Sequence, residues 1–473
     1  MKTGGEVVHR RLHSLIVKIW KDGAIPEDWR KSELVVLYKK GDTKECKNYR
    51  GISLLSVAEK AFARIILTRM QKAVDKRLRE NQAGFREGRG CVDQIFSLKI
   101  LMEKCLEYQI PGVVTFVDFK AEFDSVHRPS LWKILHEYYI PEKIVNIIRG
   151  TYSNCQARVR VGGEVTDWFC IETGVRQGCV WSPLLFGILI DWILKKACDG
   201  YGLQLERRIH TLRGTKEGWK LPDFDFADDV ALLTSEERQA TEALVRLKRA
   251  GEEVGLVVSP EKTKVMAVGT TPANVSDDGR PIDQVEKFCY LGSTMTPTNS
   301  VEEEINIRIG RAASAFQNLR NTWRAKIKIS TKVKIYNAVV ITTLLYGAET
   351  WAITKQQEQR IDAFDSRCLC SILNIRWWHH TRNTTVRERA QQPYASLIMK
   401  KSKMRWFGHV QRMSPERLPL RLYKWDPTVI GGKRKQGRQR QRWTDSCSRD
   451  LSSMGMTLLE GENVAKDRGE WRL

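Results

Sequence analysis

The run Phe-Asp-Phe-Ala-Asp-Asp-Val-Ala-Leu-Leu at 224–233 sets two adjacent carboxylates, Asp228 and Asp229, at a bend between apolar strands. An unpaired buried carboxylate is costly, so such acids call for a cation close by. Upstream, Val-Val-Thr-Phe-Val at 113–117 is again an apolar, β-branched run, and it ends in Asp118. Three carboxylates presented from strand ends can hold two divalent cations, the arrangement used for in-line phosphoryl or nucleotidyl transfer. An isolated Asp-Asp pair is more often a solvated turn. The apolar strands on both sides and the matching Asp118 strand favour the metal-binding reading here.

The elements that must carry these acids belong to a large, basic chain. At 473 residues, with 42% hydrophobic and 29% charged residues, it can bury the cores of two or three domains. Its net charge of +23 favours a polyanionic partner, nucleic acid ahead of a membrane surface. No apolar run is long enough to span a bilayer: Leu184 to Leu194 is too short and contains Asp191. His9, Arg10, Arg11 and Lys18 interrupt the N-terminal stretch and leave no signal-peptide core. Eleven scattered cysteines, an odd number, suit reduced thiols inside a cell. Cys368 and Cys370, with His379 and His380 downstream, do not match a common structural zinc spacing, so packing is their expected role.

Apolar spacing predicts helices over 6–20, 53–78, 93–108, 129–151, 182–197 and 236–254, and a mainly helical stretch over 301–345. Strands are expected at 31–40, 113–118, on both sides of Asp228–Asp229 and near 255–268. A hairpin turning on Gly162-Gly163 is expected within 156–172. The last third is rich in Trp and Arg, with Trp377, Trp378, Trp406, Trp425 and Trp443. Between 401 and 450 there are fourteen Lys or Arg against four Asp or Glu. Aromatic residues interleaved with cations suit nucleic acid, because bases stack on rings while phosphates meet positive charge. The densest run holds Lys433, Arg434, Lys435, Arg438, Arg440 and Arg442, which are read as a nucleic-acid-binding arm.

Taken in order, the motifs resemble a known family. They are the Asp118 strand with Phe123 after it, Gly174-Val-Arg-Gln-Gly with Ser182-Pro183, Phe226-Ala-Asp-Asp, Gly255-Leu-Val-Val-Ser-Pro-Glu-Lys, and Phe288-Cys-Tyr-Leu-Gly. With Asn48-Tyr-Arg-Gly-Ile-Ser and Gln82-Ala-Gly-Phe-Arg upstream, this set resembles the reverse transcriptase of a non-LTR (LINE-type, RTE-like) retrotransposon. The resemblance implies an α+β, right-hand polymerase: fingers, a palm with an antiparallel sheet, a helical thumb, and a basic, mainly helical C-terminal region. The expected divisions are 1–110 (N-terminal segment and fingers), 111–284 (palm), 285–350 (primer-grip hairpin and thumb) and 351–473 (C-terminal nucleic-acid-binding region).

The resemblance also assigns roles. Asp118, Asp228 and Asp229 would bind two Mg²⁺ ions, with Mn²⁺ as a substitute, and Lys262 would protonate the leaving pyrophosphate. Phe123 would exclude a 2′-hydroxyl, Gln177 and Gly178 would line the nucleotide pocket, and Lys39, Arg50 and Arg86 would grip the triphosphate. The partners implied are an RNA template, a DNA primer and deoxynucleoside triphosphates, with no membrane, in nuclear and cytoplasmic ribonucleoprotein. An endonuclease would come from another chain or from a missing N-terminal domain. One departure stands out: Glu122 precedes the sugar-facing Phe123 where similar elements carry a small residue. A decayed or domesticated copy that only binds nucleic acid is the alternative reading.

Overall fold

The computed structural model describes residues 4–207, 209–211, 214–216, 218–269 and 273–472. A first helix, α1 (Gly5–Asp22), leads into β1 (Lys31–Tyr38), which turns back as β2 (Tyr49–Leu54). The helix expected from 53 starts later, because Ser53 and Leu54 end β2; α2 spans Val57–Asp75. Ser56 decides the start: its hydroxyl accepts the Glu59 N–H at 3.1 Å and satisfies a donor that has no partner within the helix. Next come α3 (Cys91–Glu107) and β3 (Gly112–Val117), whose six residues are all buried. The run expected as one helix over 129–151 is two, Arg128–Glu137 and Glu142–Tyr152, broken at Pro141.

The expected hairpin forms, turning on Gly162 and Gly163 at φ 60° and 95°. Its first strand, β4 (Gln156–Val161), also runs parallel to β1 with Lys31 opposite Gln156. This pairing ties the 156–170 segment to the fingers rather than to the palm. The palm proper comprises α4 (Ser182–Ala197), β5 (Asp223–Phe226), β6 (Asp229–Thr234), α5 (Glu237–Glu252) and β7 (Lys264–Val268). Its sheet runs β5-β6-β3-β7 with every neighbour antiparallel. Both faces are covered. Val113 and Val117 of β3 point into a core shared with α4 and α5, while Val114 and Phe116 point into another shared with α3. This two-sided burial makes β3 an unbroken apolar run.

Beyond the palm stand a small hairpin, β8 (Phe288–Tyr290) and β9 (Ser293–Met295), and the helix α6 (Val301–Asn318). The expected border at 350 cuts through a core. Trp351, and Phe364 and Leu369 of α7 (Lys355–Ile372), pack with Ile305, Tyr336 and Leu344, so the thumb reaches to about residue 399. Cys368 packs in that same core. The following α8 (Ala395–Gln411) and α9 (Trp443–Ser452) return to the back of the palm.

That return corrects the reading of the tryptophans. Trp406, Trp425 and Trp443 are 9%, 7% and 1% exposed. Phe96 of α3 meets Trp406 and Trp443 edge-on at 5.5 and 4.7 Å. These rings are core, because the C-terminal segment needs them to cover the second face of the palm. Among the five tryptophans read as stacking platforms, only Trp377 and Trp378 face solvent. No helix among the described residues is long and apolar enough to cross a membrane.

Candidate active site

The sheet brings the three predicted acids to one edge. Phe226 pairs with Asp229 across the β5–β6 turn, and Val230 pairs with Val117, so the turn holding Asp228 lies beside the end of β3, where Asp118 follows. Ala227 takes a left-handed φ of 59° to make the bend. The segment 81–84 from the fingers buttresses it. Ala83 N–H donates to the Asp225 carbonyl at 2.9 Å, and buried Gln82 accepts from Gly84 N–H at 2.6 Å and Ala227 N–H at 3.3 Å. A Cβ at Gly84 would lie 2.3 Å from the Ala227 nitrogen, so only glycine allows this approach.

Electrostatics at this edge is that of crowded anions. Burial, and then the charge of Asp118, raise the Asp228 carboxyl above its usual range, with Arg50 opposing. Asp229 is pushed up to about 6 by desolvation, then by Asp228, Asp118 and Glu122. Glu122 is itself raised, first by burial and next by Asp228. One cation answers directly: Lys262 Nζ donates to Asp118 Oδ1 at 2.9 Å, and that bond raises the lysine. Carboxylates that resist ionising together are stabilised by positive charge, and an all-oxygen donor set suits a hard divalent ion. As the side chains stand, no three acidic, His or Cys groups among the described residues close around one ion. Asp118 is turned onto Lys262 instead.

The wall beside the acids is also assembled. Phe123 is half-buried and stacks on Phe186, centroids 4.6 Å apart and planes 17° off parallel. The loop 174–178 is pinned against it: Val175 N–H donates to the Phe123 carbonyl at 2.7 Å, and a Cβ on Gly174 would sit 2.7 Å from the Asp124 oxygen. At its other end Ser53 N–H donates to the Gln177 carbonyl at 2.8 Å, and Gly178, at φ 100°, abuts Ser53. Gln177 and Gly178 therefore join β2 to the Phe123 wall. Arg50 on β2 and Lys39 just after β1 are both exposed, and both lower the Asp124 carboxyl against its burial. Among the predicted residues, Asp118, Asp228, Asp229, Lys262, Phe123, Gln177, Gly178, Lys39 and Arg50 fall into one neighbourhood linked by these contacts and charges.

Residues 38–295 match the family model described as reverse transcriptase (RNA-dependent DNA polymerase). The chain belongs to the reverse transcriptase family. It is 28% identical to an uncharacterized transposon-derived protein of Caenorhabditis elegans, over 54% of this chain and 95% of that protein. It is 24% identical to the Pol polyprotein of the type-1 retrotransposable element R2 of Popillia japonica, over 73% of this chain and 48% of the polyprotein. The chain thus spans about half the length of that R2 relative. Among solved structures, apo telomerase of Candida tropicalis superposes with a TM-score of 0.42 at 12% identity, covering 96% of this chain and 72% of the other. The chain is an α+β member of the reverse transcriptase family. Divalent metal ions and a nucleic-acid template go with the family.

The β8–β9 hairpin of this reverse transcriptase packs against β5 and β3, beside the Asp228–Asp229 turn. Tyr290 donates its hydroxyl to the Phe224 carbonyl at 3.1 Å, and Phe288 stacks on Phe116 at 4.0 Å. Leu291 and Gly292 make its tip with φ of 48° and 82°, as a two-residue hairpin turn requires. The thumb holds that tip: Tyr346 donates to the Leu291 carbonyl at 2.8 Å, Arg308 to the Gly292 carbonyl, and Glu304 accepts from Thr294 N–H at 2.6 Å.

Two expectations need correction. Arg86 is 8% exposed and its guanidinium is spent on Asp75 at 2.6 Å and on the carbonyls of Arg79, Gln82 and Asp75. It shapes the 79–86 loop from within, with four of its five N–H donors already engaged there. The basic run 433–442 is a strap rather than a free arm. Lys433 and Lys435 N–H groups donate to the carbonyls of Tyr108 and Glu107, and Arg434 pairs with the Glu107 carboxylate at 2.7 Å. Arg440 bonds the Thr298 carbonyl, and Arg442 pairs with Asp445 at 2.7 Å at the start of α9. The side chains of Lys433, Lys435 and Arg438 stay exposed.

Three arginines escaped sequence reasoning. Arg128 donates to the carbonyls of Gly174, Thr173, Ile171 and Tyr152, and Arg176 bonds Trp29, Thr151 and Glu59. Together they fix the loop that carries Gln177. Arg79 bridges three buried carboxylates, Asp191 at 3.0 Å, Asp223 at 2.6 Å and Asp225 at 2.7 Å, the last two on the strand that leads to the Asp228–Asp229 turn. A lone Arg in a polar stretch carries no local signal for such a role. Asp223 and Asp225, two apart in an apolar strand, are the one visible hint.

Proposed function

We propose that the protein extends a DNA primer on an RNA template, adding deoxynucleotides as the polymerase of a non-LTR retrotransposon within an intracellular ribonucleoprotein. The convergence of Asp118, Asp228 and Asp229 at one sheet edge, beside the Phe123 and Gln177 wall, carries this reading. Asp118, Asp228 and Asp229 would hold two Mg²⁺ ions, which supply Lewis-acid activation of the primer hydroxyl and neutralise the leaving pyrophosphate. Arg50 and Lys39 orient and neutralise the triphosphate from the fingers side. The β8–β9 hairpin supports the primer end. Lys262, now on Asp118, is the proton donor nearest the acids. An endonuclease activity would be supplied by another chain or domain.

The test is primer extension by purified protein with RNA as template; no extension under any divalent ion would overturn the reading. Sugar choice adds a sharper readout. Phe123 is backed by Phe186, so its ring is held rather than free to swing aside. Phe123→Ala should raise ribonucleotide incorporation relative to deoxynucleotide; an unchanged ratio would leave Phe123 a packing residue only.

A binding-only role is the second reading, and Glu122 favours it. Its carboxyl is raised first by burial and then by the charges of Asp228 and Asp118, which puts it in the neighbourhood of the acids. Two unit charges about 6 Å apart at an effective dielectric near 20 repel by roughly 3 kcal/mol. Glu122→Ala should therefore lower the KM for deoxynucleotides, most at low salt. Equal kinetics for the two proteins would remove this argument for a degenerate copy.

A further inference from the structure

We propose that the far end of the thumb carries a separate nucleic-acid site, a groove that takes a single-stranded segment. Its bases would stack on Trp377 and Trp378, and its phosphates would meet Arg320, Arg324, Arg367 and Arg376. The inference goes beyond the polymerase reading and rests on exposed rings and unspent charge. Trp377 is 82% exposed and Trp378 56%, whereas the tryptophans farther along the chain at 406, 425 and 443 are buried. Large rings left in water are costly, and a contiguous exposed pair marks an interaction surface. The two rings stand edge to face at 5.7 Å and 83°, presenting flat faces in different directions. A duplex hides its base faces, so only unpaired bases could use them.

The charge is continuous with the rings. The depression beside Trp377 and the one beside Trp323 share Ser371, Asn374 and Arg376, so they form one groove. No acidic residue lines either part. The four arginines are exposed, and none of their guanidiniums has an ion-pair or hydrogen-bond partner among the described residues. Lys332 in the same groove shows the contrast, since its ammonium is spent on the Trp323 carbonyl at 2.7 Å. The strap at 433–442, by comparison, has Arg434 and Arg442 of its six cations paired with Glu107 and Asp445.

Position separates this groove from the catalytic cleft. The near end of α6 grips the β8–β9 hairpin through Glu304, while Gln317 at its far end lines the groove. Along a helix that separation is about 20 Å. It corresponds to about six nucleotide steps of a strand.

The experiment measures binding of labelled oligonucleotides of about 15 residues to the full chain without deoxynucleotides, as single-stranded RNA, single-stranded DNA and the matching duplex. Trp377→Ala with Trp378→Ala should weaken single-strand binding about tenfold or more and leave duplex binding little changed. Trp377→Phe should keep most of the affinity, and an unchanged melting temperature will show that the variants fold. Replacing the four arginines by Gln should flatten the slope of log affinity against log salt by about 0.7 for each phosphate that no longer meets a cation. The RNA and DNA arms identify the strand. Unchanged single-strand affinity in the tryptophan variant, or an equal loss for the duplex, would overturn the proposal. Because binding is read without extension, a failure here is distinct from a failure of the polymerase reading.

Discussion

Asp228→Asn should slow primer extension by about a thousandfold or more while template binding persists. The substitution keeps shape and removes one negative charge from a turn that Gln82 and Gly84 hold rigidly from the fingers side. The backbone therefore has no reason to move, and the change falls on charge alone. Relieved repulsion should lower Asp229 from about 6 toward the ordinary carboxylate range, since Asp228 is one of the charges that raise it. A site that ionises more easily yet works far worse would separate charge count from protonation as the cause. Single-turnover extension and template affinity, measured side by side, decide it. Undiminished extension would sink the assignment of this edge as the active site.

Arg79→Met should cost about 3–5 kcal/mol of stability, because it strands buried carboxylates without their cation. Asp191, Asp223 and Asp225 are all fully buried around the one guanidinium. Lys195 reaches only Asp191, and Tyr138 donates only to Asp191, at 2.5 Å, so Asp223 and Asp225 lose their principal partner. Asp225 already sits well above its usual range through burial and the charge of Asp223. Without Arg79 the folded state would hold these protons even more tightly than the unfolded chain. More protons bound in the folded state means that stability falls as pH rises, so the variant should recover in mild acid and be weakest above neutrality. Urea unfolding at several pH values measures this. A midpoint equal to the parent at every pH would show that the cluster contributes nothing.

Arg79 also marks where reading along the chain stops. Its partners lie 112, 144 and 146 residues away, so no local period or spacing could announce them. Arg86 failed in the opposite direction. Its motif context resembles that of a ligand-gripping residue, yet the loop closes around it and engages four of its five donors. The tryptophans at 406, 425 and 443 look from sequence like the one at 377. Which of them are core depends on whether α8 and α9 fold back over α3, and composition is silent on that.

What the sequence by itself determined is local. Apolar runs ending in Asp118 and bracketing Asp228–Asp229 require strands, because only strands bury such runs while releasing acids at their ends. The helices at 91–107, 182–197 and 237–252 follow their apolar spacing to within a few residues. The order of motifs carried the family. Tertiary structure alone decided the parallel pairing of β1 with β4, the strap at 433–442 and the exposure of Trp377 and Trp378. The physical reason is one of range. Periodicity reports which side of an element is buried, whereas ion pairs, strand partners and the facing core are set by segments a hundred or more residues away.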